Sequence, residues 1–252
     1  MLVDTHAHIY KEYYEDIDAI IENSKKCEIN FIINAGIDQK TNEEVLLMST
    51  KYNNMYVTLG IHPESVEDYC EDDLIFIEKN CTNPKVIAIG EIGLDYHYEN
   101  YNKEKQIKLF QKQLALAEKY CLPVVIHSRD ATQDTIDVLK AYKLKGVIHS
   151  FSGSKEIAKI FIDMGYKLGI NGVVTFKNAH IKDVIKELGI NHFVLETDSP
   201  YLTPVPLRGK QNFPGNITYI ADFLCKYLNI TEENLSKITN ENIASIFDKF
   251  KY

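Results

Sequence analysis

Short apolar runs alternate with helical stretches from one end of this chain to the other, and that rhythm constrains the fold more than any other feature. Leu2–His8 reads as a strand, and Tyr13–Cys27 as a helix with Ile17, Ile20 and Ile21 on its apolar stripe. Phe31–Gly36 is an apolar strand of the kind buried on both faces. Thr41-Asn42-Glu43-Glu44 reads as a capping box opening the next helix. Strand Met55–Leu59 runs into Gly60-Ile61-His62-Pro63, and helix Asp72–Lys79 leads to strand Lys85–Glu91. The second half repeats the pattern. Helix Lys103–Tyr120, strand Pro123–His127, helix Thr132–Tyr142, strand Gly146–His149 and helix Lys155–Met164 follow in order. Strand Tyr166–Asn171, helix His180–Leu188 and strand Phe193–Asp198 come next. A loop rich in proline and glycine, Pro200–Gly215, precedes helices over Ile217–Leu228, Glu232–Lys237 and Ile243–Phe250.

Eight strands alternating with eight helices predict an α/β fold. It is a single TIM-like (β/α)8 barrel over residues 1–252 with an extra C-terminal helix. A doubly wound open sheet is the other arrangement with this rhythm, but the chain has no G-x-G-x-x-G turn. An apolar content of 45% with 25% charged residues supplies an ordinary globular core. Asp4, His6 and His8 exclude a secretory apolar segment at the start, and no apolar run approaches the about 20 residues needed to span a bilayer. Five scattered cysteines without a C-x-x-C pair fit reduced thiols in the cytoplasm, where we expect a monomer.

Titratable residues collect at the ends of these strands. In Asp4-Thr5-His6-Ala7-His8, strand alternation puts His6 and His8 on one face with Asp4 beneath them. Glu91 ends strand four, His127 strand five, His149 strand six and Asp198 strand eight. The C-terminal ends of barrel strands form the catalytic rim. Four imidazoles and two carboxylates there can hold two divalent cations, with Mg2+, Mn2+ and Zn2+ all compatible with mixed nitrogen and oxygen ligands. The expected division gives one ion His6, His8 and Asp198, gives the other His127 and His149, and has Glu91 bridging. The strands ending at Ala35, His62 and Asn171 are expected to supply no ligand. Glu196 and Asp4 stand one layer deeper, where a carboxylate either orients a histidine's free N–H or pairs with a lysine.

These motifs resemble the TatD-like metal-dependent DNases. The resemblance rests on Asp4-Thr5-His6-Ala7-His8, Gly60-Ile61-His62-Pro63, Gly90-Glu91-Ile92-Gly93-Leu94-Asp95-Tyr96 and His127-Ser128-Arg129. His149-Ser150-Phe151-Ser152-Gly153-Ser154, Glu196-Thr197-Asp198-Ser199-Pro200-Tyr201-Leu202 and Pro206-Leu207-Arg208-Gly209-Lys210-Gln211-Asn212 carry it through the second half. The resemblance implies a TIM barrel of the metal-dependent hydrolase superfamily. It further implies a divalent-cation-dependent deoxyribonuclease, commonly a 3′→5′ exonuclease on single-stranded or damaged DNA. The chain departs at Ala7, where many members have cysteine, at Ser199, where alanine is common, and at Leu207, Gln211 and Phe213. The last three lie in a usually more polar loop and leave substrate preference open.

Two cations side by side would activate water and stabilise the attacking and leaving oxygens of a phosphodiester. Asp198 and Glu91 are then the catalytic carboxylates, with Asp198 as acceptor of the nucleophile's proton. Only two of the 28 basic residues are arginines, Arg129 and Arg208, and both fall beside these motifs. A planar fork suits phosphate oxygens, so both are expected on the substrate, Arg129 with a catalytic share. Lys210, His62, Tyr96 and Ser152 are the other expected substrate contacts, and Tyr201 is a candidate for stacking on a base. A net charge of −8 excludes a broad basic nucleic-acid surface and leaves local cations to handle DNA. An amidohydrolase, lactonase or phosphotriesterase on the same barrel is an alternative, although many of those bridge their metals with a modified lysine where this chain has Glu91. Hydrolysis of an aminoacyl ester on tRNA is another. A non-catalytic metal-binding protein is a third, weakened by the complete ligand set.

Overall fold

Residues 1–250 are described by a computed structural model. Eight strands form one sheet in sequence order, all parallel to their neighbours: β1 Leu2–Ala7, β2 Ile29–Ala35, β3 Met55–Leu59, β4 Val86–Asp95, β5 Val124–Arg129, β6 Gly146–Ile148, β7 Tyr166–Ile170 and β8 Phe193–Leu195. A parallel bridge between Ala7 and Ser199, with His8 N–H donating to the Ser199 carbonyl at 2.7 Å, brings the last strand's extension back to the first. The result is a nearly closed (β/α)8 barrel, as the alternation predicts. Between the strands run α1 Ile17–Lys26, α2 Gln39–Lys51, α3 Glu71–Asn80, α4 Lys103–Lys119, α5 Thr132–Leu139, α6 Lys155–Asp163 and α7 Ile181–Leu188, with α8 Ile217–Leu228 and α9 Glu232–Ile246 after β8. No helix among the described residues is long and apolar enough to cross a membrane.

The end of the barrel away from the strand C-termini is sealed. Val3, Ile33, Ile87, Val125, Val147 and Val194, from six different strands, share an apolar cluster with Ile243, Ile246 and Phe247. Lys249 reinforces the seal by donating to the carbonyls of Cys81 and Asn83, ahead of β4, and of Val86, its first residue. The extra C-terminal helix is therefore a plug, and the opposite end alone stays open for a site.

Local boundaries shift for identifiable reasons. Helix α1 starts at Ile17, four residues after its predicted start, because the Asp16 side chain caps it by accepting from Ala19 N–H at 2.9 Å. Helix α2 uses Asp38 as its cap, paired with Thr41 in a reciprocal capping box, three residues before the predicted one. The two helices expected at 232–237 and 243–250 form the single α9. Asn242, which reads as a break, instead donates from its side chain to the carbonyls of Ile190 and Phe193. Strand β4 runs four residues beyond Glu91, pairing Gly93 with His127 and Asp95 with Arg129. Only glycine fits at position 93: its φ is +149° and a Cβ there would lie 1.9 Å from the His127 carbonyl oxygen.

Candidate metal centre

The open end of the barrel gathers His6, His8, Glu91, His127, His149 and Asp198 around the Glu91 carboxylate, whose two oxygens face different partners. Oε2 lies 3.2 Å from His6 Nε2 and 3.4 Å from His8 Nε2. Asp198 Oδ1 completes that group at 3.8 and 3.5 Å from the same two nitrogens. Oε1 lies 2.8 Å from His127 Nδ1, 3.5 Å from His149 Nε2 and 3.7 Å from His62 Nε2. His149 sits between the groups, its ring stacked on His6 with centroids 3.9 Å apart and its Nε2 3.9 Å from Asp198 Oδ1.

These spacings fit cations. Nε2 atoms of His6 and His8 face each other at 3.1 Å, with carboxylate oxygens on the same side. His6 Nε2, His8 Nε2 and Glu91 Oε2, 3.1 to 3.4 Å from one another, match the edges, about 3.4 Å, of a tetrahedron drawn around an ion with bonds of about 2.1 Å. Three overlapping groups have donor atoms within 4.8 Å of one another: His6 with His149 and Asp198, His6 with His8 and Glu91, and His62 with Glu91 and His127.

Further partners aim the rings. His8 Nδ1 lies 2.8 Å from the Tyr10 hydroxyl, which donates to the Ala35 carbonyl, so Nε2 is left facing the centre. His149 Nδ1 lies 3.1 Å from Glu196 Oε1, close enough for an ion pair but not aligned as a hydrogen bond, and Oε1 accepts from Ser150 N–H at 2.6 Å. Asp4 does not reach a histidine ring. Its carboxylate accepts from His6 N–H at 3.3 Å, Thr197 N–H at 2.9 Å and the Thr197 hydroxyl at 2.5 Å, tying β1 to the end of β8, and His6 Nδ1 is buried without a partner. Asp198 enters the centre from a left-handed backbone conformation, φ +55°, and its N–H donates to the His6 carbonyl.

Imidazoles and carboxylates at this centre shift one another strongly. Burial opposes charge on His8, but the Asp198 and Glu91 carboxylates outweigh it and raise the imidazole to about 9. Burial likewise opposes charge on His127 and His149. Asp95 and Glu91 raise the former to about 9, while Glu196, Glu91 and Asp198 raise the latter to about 10. Burial would lift Glu91 and Asp198, yet the surrounding imidazoles, His149 first, hold both below their usual range. His62 is driven the other way, to about 3, by burial and the neighbouring His127, so it stays neutral.

The family model described as TatD related DNase matches residues 3–248. This chain belongs to the TatD-related DNase family. It is 40% identical over 252 residues to YabD of Bacillus subtilis, named an uncharacterized metal-dependent hydrolase, with 98% of this chain and 99% of the relative covered. It is 30% identical over 255 residues to YcfH of Escherichia coli, which carries the same description, covering 98% and 95%. Among solved structures, the TatD homologue YjjV of Escherichia coli superposes with a TM-score of 0.92 at 29% identity over 98% of both chains. A phosphotriesterase homology protein from the same organism, at 13% identity and a TM-score of 0.71, shares the fold.

In this TatD-family chain the centre opens into a cavity of about 580 Å3, and the expected substrate contacts divide around it. His62, Arg129 and Ser152 line the cavity. Tyr96, Arg208 and Lys210 do not. Tyr96 follows Asp95 on β4, so alternation turns it outward, where its hydroxyl donates to Asp134. The Arg208 guanidinium lies 4.3 Å over the Phe176 ring, and Lys210 is exposed in the loop after β8. A larger depression of about 870 Å3 lies outside this end, between Pro123, Tyr142 and Met164; its size does not compete with the convergence of donors. Two residues that touch the candidate ligands, Asp95 and Tyr10, are given no role by sequence reasoning. Asp95, 2.9 Å from His127 Nε2, and Tyr10 both lie two or four residues beyond a recognised ligand on the same face, which is the signal that would have found them. His62, expected on substrate, faces Glu91 and His127 from beyond β3.

Proposed function

We propose that this TatD-family metal-dependent hydrolase cleaves DNA phosphodiester bonds, working as a 3′→5′ exonuclease at a centre of two divalent cations. The observation that carries the reading is the divided carboxylate of Glu91, with one oxygen toward His6 and His8 and the other toward His127, His149 and His62. His6, His8 and Asp198 would hold one cation, His127 and His149 the other, with Glu91 shared and Mg2+, Mn2+ and Zn2+ the candidates. Cations held by these residues would supply charge stabilisation for the attacked and leaving oxygens and a lowered pKa for water.

The chain's own groups do the rest. Asp198, kept ionised by the facing imidazoles, takes the proton of the attacking water. Arg129 lines the cavity and forks onto a non-bridging phosphate oxygen. His62, neutral at working pH, donates to substrate without adding charge. Asp95 and Glu196 hold the His127 and His149 rings in place for the reaction.

The test is digestion of end-labelled single- and double-stranded DNA with Mg2+, Mn2+ or Zn2+ in turn. Progressive shortening from the 3′ end is the expected result. Intact DNA with all three ions, alongside turnover of a lactone or cyclic amide, would replace the reading with an amidohydrolase-type one. Asp198→Asn should lose activity across the pH range; a variant that keeps its metal and full activity removes Asp198 from the proton transfer. Arg129→Lys should slow turnover about 100-fold although charge is conserved.

A further inference from the structure

The cavity over the metal centre is poor in fixed cations and rich in exposed aromatic surface. Among its described lining residues Arg129 is the sole lysine or arginine, while Tyr13, Tyr98 and Tyr201 all contribute rings. Tyr98 is 56% exposed and Tyr201 49%, and both line the cavity. Both are held in position. The Arg129 guanidinium lies 5.6 Å from the Tyr98 ring centroid, and the His97 ring meets it edge-on at 5.3 Å. The Tyr201 hydroxyl lies 2.8 Å from that of Tyr13, whose ring also meets it edge-on at 5.8 Å.

The topology sets these two rings apart. Tyr98 follows β4 and Tyr201 follows β8, and strands four places apart in an eight-stranded closed order stand on opposite sides of the barrel. The metal centre lies between them. We propose that Tyr98 and Tyr201 are paired stacking platforms, each receiving one base of a nucleotide strand, on either side of the phosphate presented to the centre. The inference rests on the phosphodiesterase reading of the same site. It assigns most of the affinity away from the metals to two residues that touch bases. A base face is open to a tyrosine only when the base is out of a duplex stack, so the platforms take at least two unpaired nucleotides. Rings already immobilised by neighbours lose little freedom on stacking.

The test is fluorescence anisotropy on the intact protein, with a fluorescein-labelled phosphorothioate oligothymidylate, which resists hydrolysis, and with the same backbone carrying abasic sugars. Tyr98→Leu and Tyr201→Leu should each weaken oligothymidylate binding about ten-fold or more, as loss of one stacked base does. The conservative Tyr98→Phe and Tyr201→Phe should restore it. On the abasic strand the leucine variants should match the parent, because no base remains to stack. Equal losses on both strands would make the residues merely structural, and unchanged oligothymidylate binding would overturn the proposal outright. The parent protein separates this inference from the one beneath it. Failure to bind oligothymidylate while hydrolysing bis(4-nitrophenyl) phosphate defeats the platforms alone. Tyrosine-dependent binding without hydrolysis of either DNA or that diester defeats the phosphodiesterase reading and leaves the platforms standing.

Discussion

A missing methyl at position 169 gives the Glu196 carboxylate its place. A Cβ on Gly169 would lie 2.2 Å from Glu196 Oε2, so the carboxylate that aims His149 depends on the glycine in the neighbouring strand. Gly169→Ala should displace Glu196 and weaken cation binding about 10- to 100-fold, measured by calorimetric titration, and Glu196→Gln should do the same. Unaltered affinity in both would mean that His149 needs no orienting partner. Protonation gives a second residue-scale expectation. In the metal-free fold His8 and His127 keep their protons to about 9 and His149 to about 10, against 6.5 for an unperturbed imidazole. The stability they lend is therefore complete below pH 6.5 and lost as pH rises from there through 9 to 10. Chelated protein should melt at steadily lower temperature across that window, while cation affinity rises because the ligands must lose the same protons. Melting scans with and without chelator check this, and a flat profile for the chelated protein contradicts it. At this scale the six converging imidazoles and carboxylates are legible in the sequence because each follows an apolar strand. Tyr10 and Asp95 are not, since seeing them requires knowing that the strand's alternation continues past the last apolar residue.

Elements explain which parts of the sequence mislead. Strand β4 carries Gly90 and Gly93, which read as an ending, yet the ladder continues to Asp95 because Gly93 packs against the His127 carbonyl. Helix α9 carries Asn240, Glu241 and Asn242, which read as a break, yet Asn242 satisfies buried carbonyls of the segment leading into β8. In both cases a tertiary partner overrides a local signal that is otherwise sound. The plug formed by α9 makes its own prediction. Phe247 is completely buried against residues from the strand interiors, so Phe247→Ala should cost about 3 to 5 kcal/mol and lower the melting temperature by roughly 6 to 20 °C. Because the plug seals the end opposite the metal centre, cation affinity in the surviving folded protein should be unchanged. A parallel loss of affinity would show that the two ends of the barrel are coupled.

For the whole molecule, charge and fold must be reconciled with the polyanionic substrate proposed for it. The net charge is −8, and Arg129 is the one fixed side-chain cation of its type among the described cavity lining. Binding should therefore depend weakly on salt: far less than the about 10^3- to 10^5-fold loss between 50 and 200 mM that 6 to 10 phosphate contacts produce. A steep salt dependence of KM would reveal a basic track outside the cavity, with Arg208 and Lys210 the first residues to examine. The barrel itself is legible in the sequence from its rhythm alone, while its closure, its plug and the cavity's aromatic rim depend on long-range pairings that no local pattern encodes. All of these features serve one arrangement, in which Glu91 stands between two groups of imidazoles at the open end. Counting bound metal after stripping and reconstitution, by elemental analysis of the gel-filtered protein, tests that arrangement most directly. Two equivalents per chain, falling in Glu91→Gln, are expected; uptake of one equivalent or none by the parent protein, with Glu91→Gln indistinguishable from it, would rule that arrangement out.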